Sequence, residues 1–457
     1  MISWLIWSRQ QIQTGLDLAA DGVLLGIHGP SAALFLYAIL WPMALSEILK
    51  ERGYVYQHSS ERLSEITEKQ RTLYLGIDPS ADSLQIGQLM AFLILRRFVE
   101  DGHKVILLMG GGTGMIGDPG GKSAERPLLK AEIVQNNSEA IAEQVKRLFG
   151  SADFKLLNNA DWLANLNMIE FLRDVGKHFT VNTMLQRDFI KERVKNPDEG
   201  ISYTEFSYSL LQAYDYLHLH REYACDLQVG GSDQWGNIIS GVDFVRRKTG
   251  DTVYALTWPL LVDKKTGKKF GKSESGVVWL DANKTSPFQF YQFLLNTDDD
   301  VLEEYLLKLT MLPKTEVDMA MGLHKRNPKE RHGQQLLARE VTTLVHGEEE
   351  ATKVESVSQV LFGEAGLDSL SLEARELLKA NAPSQEIQLG TNIVDALIVA
   401  HLSNSKREAR QFLEDNAVDL NGTVITDPKR ELGDDDFYDG IALLKRGKRN
   451  ITVLTLA

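Results

Sequence analysis

The sequence predicts an α/β protein built on a doubly wound parallel sheet, followed by a helical region and a small α+β unit. Three observations carry this expectation. Between about residues 70 and 262, short apolar runs alternate with longer amphipathic ones, as they do when strands return through helices. After about residue 287 the strand signals stop, and helical periodicity continues to about 378. Near the C-terminus, Asn421-Gly422 interrupts VDLNGTVIT, a strong hairpin signal.

In chain order, MALSEILKERGYV (43–55) reads as a helix with Ser46 as N-cap and Gly53 past its end. RTLYLGI (71–77) reads as a strand that stops at the turn signal Asp78-Pro79. Residues 84–100 form an amphipathic helix closed by Asp101-Gly102, and 103–109 (HKVILLM) a second strand that runs into GGGTGMIGDPGG. Helices are expected around 130–149, 166–179 and 204–219, then a strand at 224–229, a helix at 235–248 and a strand at 253–262. In such sheets, ligands sit at the carboxyl ends of the strands. Residues 380–390 read as a linker, and 391–457 as two helices plus a hairpin.

The first 42 residues stand apart. Residues 31–42 are apolar but shorter than the ~20 residues of a membrane span, and Arg9 is the sole positive charge before Lys50, unlike a secretory signal. The readings are an extension outside the native chain, with Met43 the natural start, or a membrane-associating arm; the first is favoured.

With 457 residues, 43% of them hydrophobic and 25% charged, the chain can bury a large core in two or three domains. Its formal net charge of −13 argues against broad polyanion binding, so any RNA contact must come from local patches. The single cysteine, Cys225, excludes an intramolecular disulfide and a cysteine-rich zinc cluster, which fits a reducing cytoplasm.

Two nucleotide motifs are decoys. Gly112 to Gly117 matches G-x-G-x-x-G, but Asp118-Pro119-Gly120-Gly121 follows where the phosphate-binding helix should begin. Gly121-Lys122-Ser123 and Gly271-Lys272-Ser273 look like the end of a P-loop, yet Ile116 and Thr266 occupy the positions that require glycine. By contrast, Tyr208, Gln212 and Asp215 recur at i, i+4 and i+7, which places a phenol, an amide and a carboxylate on one helix face. Such a face is costly to bury unless it forms a satisfied internal network or binds something polar.

The segments LGIDPSADSLQIGQL (75–89), GGTGMIGDP, ISYTEFSYSLLQAYD, LQVGGSDQWGN and KKFGKSESG occur in this order. Together they resemble bacterial-type tyrosyl-tRNA synthetases of class I, over roughly residues 45–457. The resemblance implies a Rossmann-like catalytic domain with a dimer-forming insertion (43–262), a signature loop and helical domain (263–379), the linker, and an S4-like RNA-binding domain (391–457). It implies tyrosine, ATP with Mg2+, and tRNA(Tyr) as partners in a homodimer, with no tightly bound organic cofactor, no protein metal site and no stable membrane association.

Residue by residue, the resemblance gives Tyr208, Gln212 and Asp118 to the tyrosine ammonium, Tyr74 and Asp215 to its phenolic hydroxyl, and Gln234 to the neighbourhood of its carboxylate. Buried groups paired with that hydroxyl would be left unsatisfied by phenylalanine, and the discrimination known for enzymes of this very type is about 10⁴–10⁵. Gly76, Asp78, Gly87, Asp233 and Lys272 match ATP positions. Lys269, Lys272 and Ser273 match the second signature, and Lys122 and Arg126 a second basic loop that steadies developing charge on the phosphates. Gln85 and Gln88 stand where the first signature carries histidines. A glutamine donates a neutral hydrogen bond but cannot become cationic; one lost contact would cost about 1.5–3 kcal/mol, or roughly 10–150-fold in rate. Leu75 and Ala91 also replace residues that are often polar.

The C-terminal segment SKREARQFLEDNAVDLNGT resembles the S4-like unit. Lys406, Arg407, Arg410, Lys445, Arg446, Lys448 and Arg449 are its candidate RNA contacts, although residues 391–457 hold 9 Lys+Arg against 11 Asp+Glu. The double glutamine leaves one alternative, a non-catalytic RNA-binding relative. Tryptophan specificity is disfavoured because Tyr74 and Asp215 suit a phenol.

Overall fold

The computed structural model describes residues 43–119, 129–187, 190–191, 194, 200–262, 267, 270–273, 276–363, 365–447 and 450–457. The extension 1–42 lies outside them.

The central sheet comprises β1 (Gln57–His58), β2 (Thr72–Ile77), β3 (Lys104–Met109), β4 (Lys155–Asn158), β5 (Cys225–Gly231) and β6 (Tyr254–Trp258), in the spatial order β1-β6-β5-β2-β3-β4. Neighbours from β6 to β4 run parallel, while β1 pairs antiparallel with β6. The doubly wound expectation is met. Strand order reverses around β2, with β3 on one side and β5 on the other, so the crevice at their carboxyl ends is the expected ligand site.

Alternation along the strands distributes the core. Leu73, Leu75 and Ile77 with Val105, Leu107 and Met109 pack on the face covered by helices Leu89–Glu100 and Ala131–Phe149. Tyr74, Ile106 and Leu108 point the other way, towards helices Tyr203–Tyr223 and Trp235–Thr249, where they meet Ala213, Tyr216, Leu217 and Phe244. This period of two sets Tyr74 under the polar face of helix Tyr203–Tyr223. That helix starts at Ser202, whose hydroxyl accepts from the Glu205 N–H, and ends at Ala224 in the left-handed conformation.

Helices from Pro287–Leu295 to Leu372–Asn381 form the helical region, and their buried residues merge with the first face of the sheet. The C-terminal unit is a second sheet, β11-β10-β12-β13-β9, packed on helices Ile393–Val399 and Lys406–Glu414. Its strands are β9 (Ser384–Ile387), β10 (Val418–Leu420), β11 (Thr423–Val424), β12 (Ile441–Arg446) and β13 (Asn450–Leu456). Asn421 and Gly422 both carry positive φ, 53° and 88°, which a two-residue hairpin turn of this type needs.

Two local expectations are corrected, and one strand is added. Residues 380–390 are not a bare linker, because β9 pairs in parallel with β13; its SQEI buries only Ile387 fully, so no apolar pattern announced it. The first helix is Leu45–Glu51 with Ala44 at the cap position, and Ser46 lies inside it, buried. The sequence also gave no sign of β4, an edge strand with Lys155 and Leu156 exposed. Among the described residues, no helix is long and apolar enough to cross a membrane.

Candidate active site

A cavity of about 350 Å³ opens at the carboxyl ends of β2 and β5. Its lining includes Tyr74, Gly76, Asp78, Gln85, Gly87, Gln88, Asp118, Tyr208, Gln212, Asp215, Asp233 and Gln234. The fold therefore brings together every tyrosine candidate and, of the ATP set, all but Lys272. Leu75 and Ala91 line it too, so the departures from the usual polar residues face the site.

A hydrogen-bonded chain runs through the cavity wall. Trp162 Nε1 donates to Asp215 Oδ1 at 2.7 Å, and Asn159 Nδ2 donates to Asp215 Oδ2 at 2.9 Å and to Thr113 Oγ1 at 3.0 Å. Thr113 donates onward to Asp78 Oδ1 at 2.8 Å, and Tyr208 Oη donates to Asp78 Oδ2 at 2.8 Å. Asp78, expected on the ATP side, is thus fixed by the same phenol that was assigned to the ammonium. Gln234 Nε2 donates to Asp118 Oδ2 at 2.6 Å, and Asn237 backs Gln234 at 3.4 Å. Arg187, which carries no sequence signal, braces Asn237 at 3.3 Å. Burial lowers its pKa to about 10 despite the opposing charge of Asp118, so it stays cationic at neutral pH.

Against this satisfied frame, the cavity lining holds three buried atoms that find no donor or acceptor among the described residues: Tyr74 Oη, Gln212 Oε1 and Gln228 Oε1. Buried polar atoms left so are costly, and their convergence suits a polar ligand. Burial pushes the Asp215 carboxyl up to about 7, against the opposing hydrogen bonds from Asn159 and Trp162. Burial, reinforced by the charge of Asp215, raises the Tyr74 phenol well above its ordinary range. Burial, with the charge of Asp78 next, does the same to Tyr208. Both phenols are neutral donors at pH 7.

Over its described residues, 110–119, the glycine-rich stretch after β3 forms a 3-10 turn, Thr113–Met115. Its glycines serve close approach: a Cβ at Gly110 would overlap the Asp78 carboxylate. Gly87 has a similar reason. A Cβ there would stand 2.8 Å from the Phe270 carbonyl oxygen, and one at Gly271 (φ 85°) would stand 2.6 Å from Ile86 Cγ2. The strips Ile86-Gly87 and Phe270-Gly271, far apart in sequence, are therefore packed on each other. The Ile86 N–H donates to the Val278 carbonyl, and the Val278 N–H to the Gly271 carbonyl. Gln88 turns back to accept the Gln85 N–H at 2.9 Å through Oε1, which leaves its Nε2 to donate outwards. Lys122, Arg126 and Lys269 lie outside the described residues. Lys272 and Ser273 form the short strand β7, paired with β8 (Gly276–Val277).

In the C-terminal unit, Arg407 and Arg410 are exposed on helix Lys406–Glu414. Lys406, also exposed, pairs with Asp395 at 2.6 Å. The half-buried Lys445 amine donates to the Val360 carbonyl at 2.9 Å and so ties the second sheet to helix Glu348–Phe362. The Arg446 guanidinium lies 4.9 Å from the Phe412 ring centroid. Lys448 and Arg449 fall outside the described residues.

Residues 67–363 match the family of class I tRNA synthetases (W and Y), and residues 373–454 match the SYY-like C-terminal domain of tyrosine–tRNA ligases. The chain is 46% identical over 420 residues to a tyrosine–tRNA ligase from Roseiflexus castenholzii (strain DSM 13941 / HLO8), covering 89% of this chain and 98% of that relative. A C-terminally truncated mitochondrial tyrosyl-tRNA synthetase from Aspergillus nidulans superposes with a TM-score of 0.62 at 31% identity, over 70% of this chain and 95% of its own. The corresponding protein from Coccidioides posadasii gives 0.61 at 29% identity, over 76% and 99%.

Proposed function

The chain belongs to the class I tRNA synthetases of the tryptophan and tyrosine family, and we propose from that membership how its own residues divide the work of a tyrosine–tRNA ligase. The enzyme joins tyrosine to tRNA(Tyr) at the expense of ATP. The observation that carries the residue assignment is the pair Tyr74 and Asp215 in the cavity lining, an unpartnered buried phenol within reach of the charge of a buried carboxyl.

The substrate's hydroxyl donates to Asp215 and accepts from Tyr74 Oη. Its ammonium lies towards Gln212 Oε1, Tyr208 and Asp118, where carboxylates and an open acceptor favour a cation. Its carboxylate is already a nucleophile, so no general base is needed and catalysis rests on positioning and electrostatics. An oxygen–phosphorus bond forms at the α-phosphate as the bond to pyrophosphate breaks. A hydroxyl at the tRNA 3′ end then takes the tyrosyl group and AMP departs. ATP, arriving as its magnesium complex, lies along Gly76, Gly87 and Asp233, with Gln85 and Gln88 as neutral donors.

The test is tyrosine-dependent exchange between ATP and pyrophosphate with the purified protein. Exchange with tyrosine and not tryptophan is expected; none at high enzyme concentration, with tRNA still bound, would leave only the non-catalytic reading. Replacing Gln85 and Gln88 together by histidine is expected to leave the exchange rate equal or higher. A large fall would mean that Gln88, through its bond to the Gln85 N–H, is part of a compensated site.

A homodimer in the cytoplasm is the assembly proposed. Its support is a group of exposed apolar side chains in the sheet-edge insertion: Met168 and Ile169 at 72% and 70% exposure, with Leu172, Val181 and Leu185. Such a surface fits a second copy of the chain, and sedimentation at twice the chain mass is the expected outcome. The RNA-facing surface proposed is Arg407 and Arg410 with Lys406, through phosphates and unpaired bases; charge reversal at the two arginines should weaken tRNA binding without changing pyrophosphate exchange.

A further inference from the structure

We propose that His218 is a positioning residue for tyrosine specificity, acting by stacking on Trp162 and thereby holding Asp215. The proposal rests on the assignment of Asp215 to the substrate's hydroxyl. It starts from helix Tyr203–Tyr223, where His218 follows Asp215 by three residues and so lies beside it on neighbouring turns. The imidazole stacks on the Trp162 indole, with ring centroids 4.2 Å apart and planes inclined by 22°. The same indole donates its N–H to Asp215 Oδ1 at 2.7 Å. Helix Ala160–Leu163, which carries Trp162, has only four residues and no buried member of its own. The indole is half-buried against the cluster beneath helix Tyr203–Tyr223, and the His218 ring adds the stacked contact that fixes its plane.

The chemistry explains why a stacked aromatic is suited to this position. The Asp215 carboxyl is charged at cost in its buried setting, and the Trp162 N–H is one of the two side-chain donors that offset that cost. An indole that tilts by tens of degrees loses that bond steeply. The carboxyl then becomes harder to ionise and less defined in direction, at the end of the cavity where a hydroxyl separates tyrosine from phenylalanine. Burial keeps the imidazole below its ordinary range although Glu222 pulls the other way, so the ring that meets the indole is neutral at pH 7. His218 touches neither substrate nor reacting atoms and is not a catalytic residue.

The experiment compares His218→Ala, His218→Leu and His218→Phe in the full-length enzyme by pyrophosphate exchange, with Asp215→Asn alongside. His218→Ala and His218→Leu are expected to raise KM for tyrosine roughly 3–10-fold, the range that a lost aromatic stack implies. KM for ATP should be unchanged, and the preference for tyrosine over phenylalanine should fall by a similar factor. His218→Phe, which keeps the stack, is expected to restore both within about twofold. Leucine guards against an alanine variant that folds poorly, and circular dichroism reports helix content for each. The proposal is overturned if the leucine variant matches wild type in tyrosine KM and phenylalanine preference, or if phenylalanine fails to rescue. A neutral Asp215→Asn would instead overturn the assignment on which the proposal rests, so the two failures are distinguishable.

Discussion

Asp215→Ala is expected to lower kcat/KM for tyrosine in the activation step by about 10²–10³-fold, with KM for ATP nearly unchanged. The size follows from counting what is left behind. Tyrosine loses a charge-assisted hydrogen bond, worth about 1.5–3 kcal/mol. Trp162 Nε1 loses its acceptor, and Asn159 Nδ2 keeps only Thr113, so the pocket also loses its shape. Tyr74→Phe removes one partner without disturbing that frame, and a smaller loss of roughly 10-fold is expected. Steady-state pyrophosphate exchange with each substrate varied in turn checks both, and an equal fall in ATP affinity would show that Asp215 acts on the fold instead.

The same carboxyl predicts a pH dependence. Its folded-state pKa is raised to about 7 from an ordinary 3.8, chiefly by burial. A raised folded pKa means that the group's contribution to stability is fully present below the unfolded value and is lost as pH rises through the folded one. The unliganded enzyme should therefore lose stability between about pH 4 and 7 on account of Asp215. Asp215→Asn should remove that slope and melt at a higher temperature than wild type above pH 7, while binding tyrosine poorly. Tyrosine, by donating its hydroxyl to the carboxylate, should favour the charged form and so pull the pKa down. Its binding below pH 7 should then release a proton, visible as a buffer-dependent heat in calorimetry.

How much of this site the sequence disclosed depended on the distance over which each signal had to act. Tyr208, Gln212 and Asp215 were legible because one helix fixes their spacing. Tyr74 was legible through the resemblance, one residue ahead of the first signature segment, and the strand alternation that sets it on the face of Asp215 is a local rule. Asn159, Trp162 and Thr113 were not: they meet Asp215 and Asp78 only after the end of β4 is brought beside the turn after β3. β4 itself hides as an exposed edge strand. Gly87 was legible only as a match to an ATP position, and the Phe270 carbonyl supplies a packing reason that no local signal shows. The bond from Lys445 was hidden because its acceptor, Val360, lies 85 residues away. The fold was more legible than the site for the same reason. Helix and strand periods are local, while β9 needed β13 as a partner before it was recognisable as a strand.

Lys269→Ala with Lys272→Ala is expected to lower the rate of tyrosyl-adenylate formation by about 10²–10⁴-fold while leaving tyrosine binding intact. The described lining of the cavity holds four carboxylates, Asp78, Asp118, Asp215 and Asp233, and no lysine or arginine. Such a lining suits an ammonium group and repels a triphosphate. Cations brought by other segments must offset that repulsion as charge gathers on the departing pyrophosphate, and each such contact in a preorganised site is worth about 10²–10³. The two lysines flank Phe270-Gly271, and those two residues pack against Ile86-Gly87 at the mouth of the cavity. The approach is so close that neither glycine accepts a Cβ without displacement. The second signature is thereby anchored at its centre, with one lysine on each side of the anchor in sequence. Removing the amines should leave Phe270 and Gly271 in place. Single-turnover adenylate formation should then fall at saturating ATP, with tyrosine affinity by equilibrium dialysis within about twofold of wild type. A parallel loss of tyrosine affinity would mean that the lysines support the pocket rather than the phosphates.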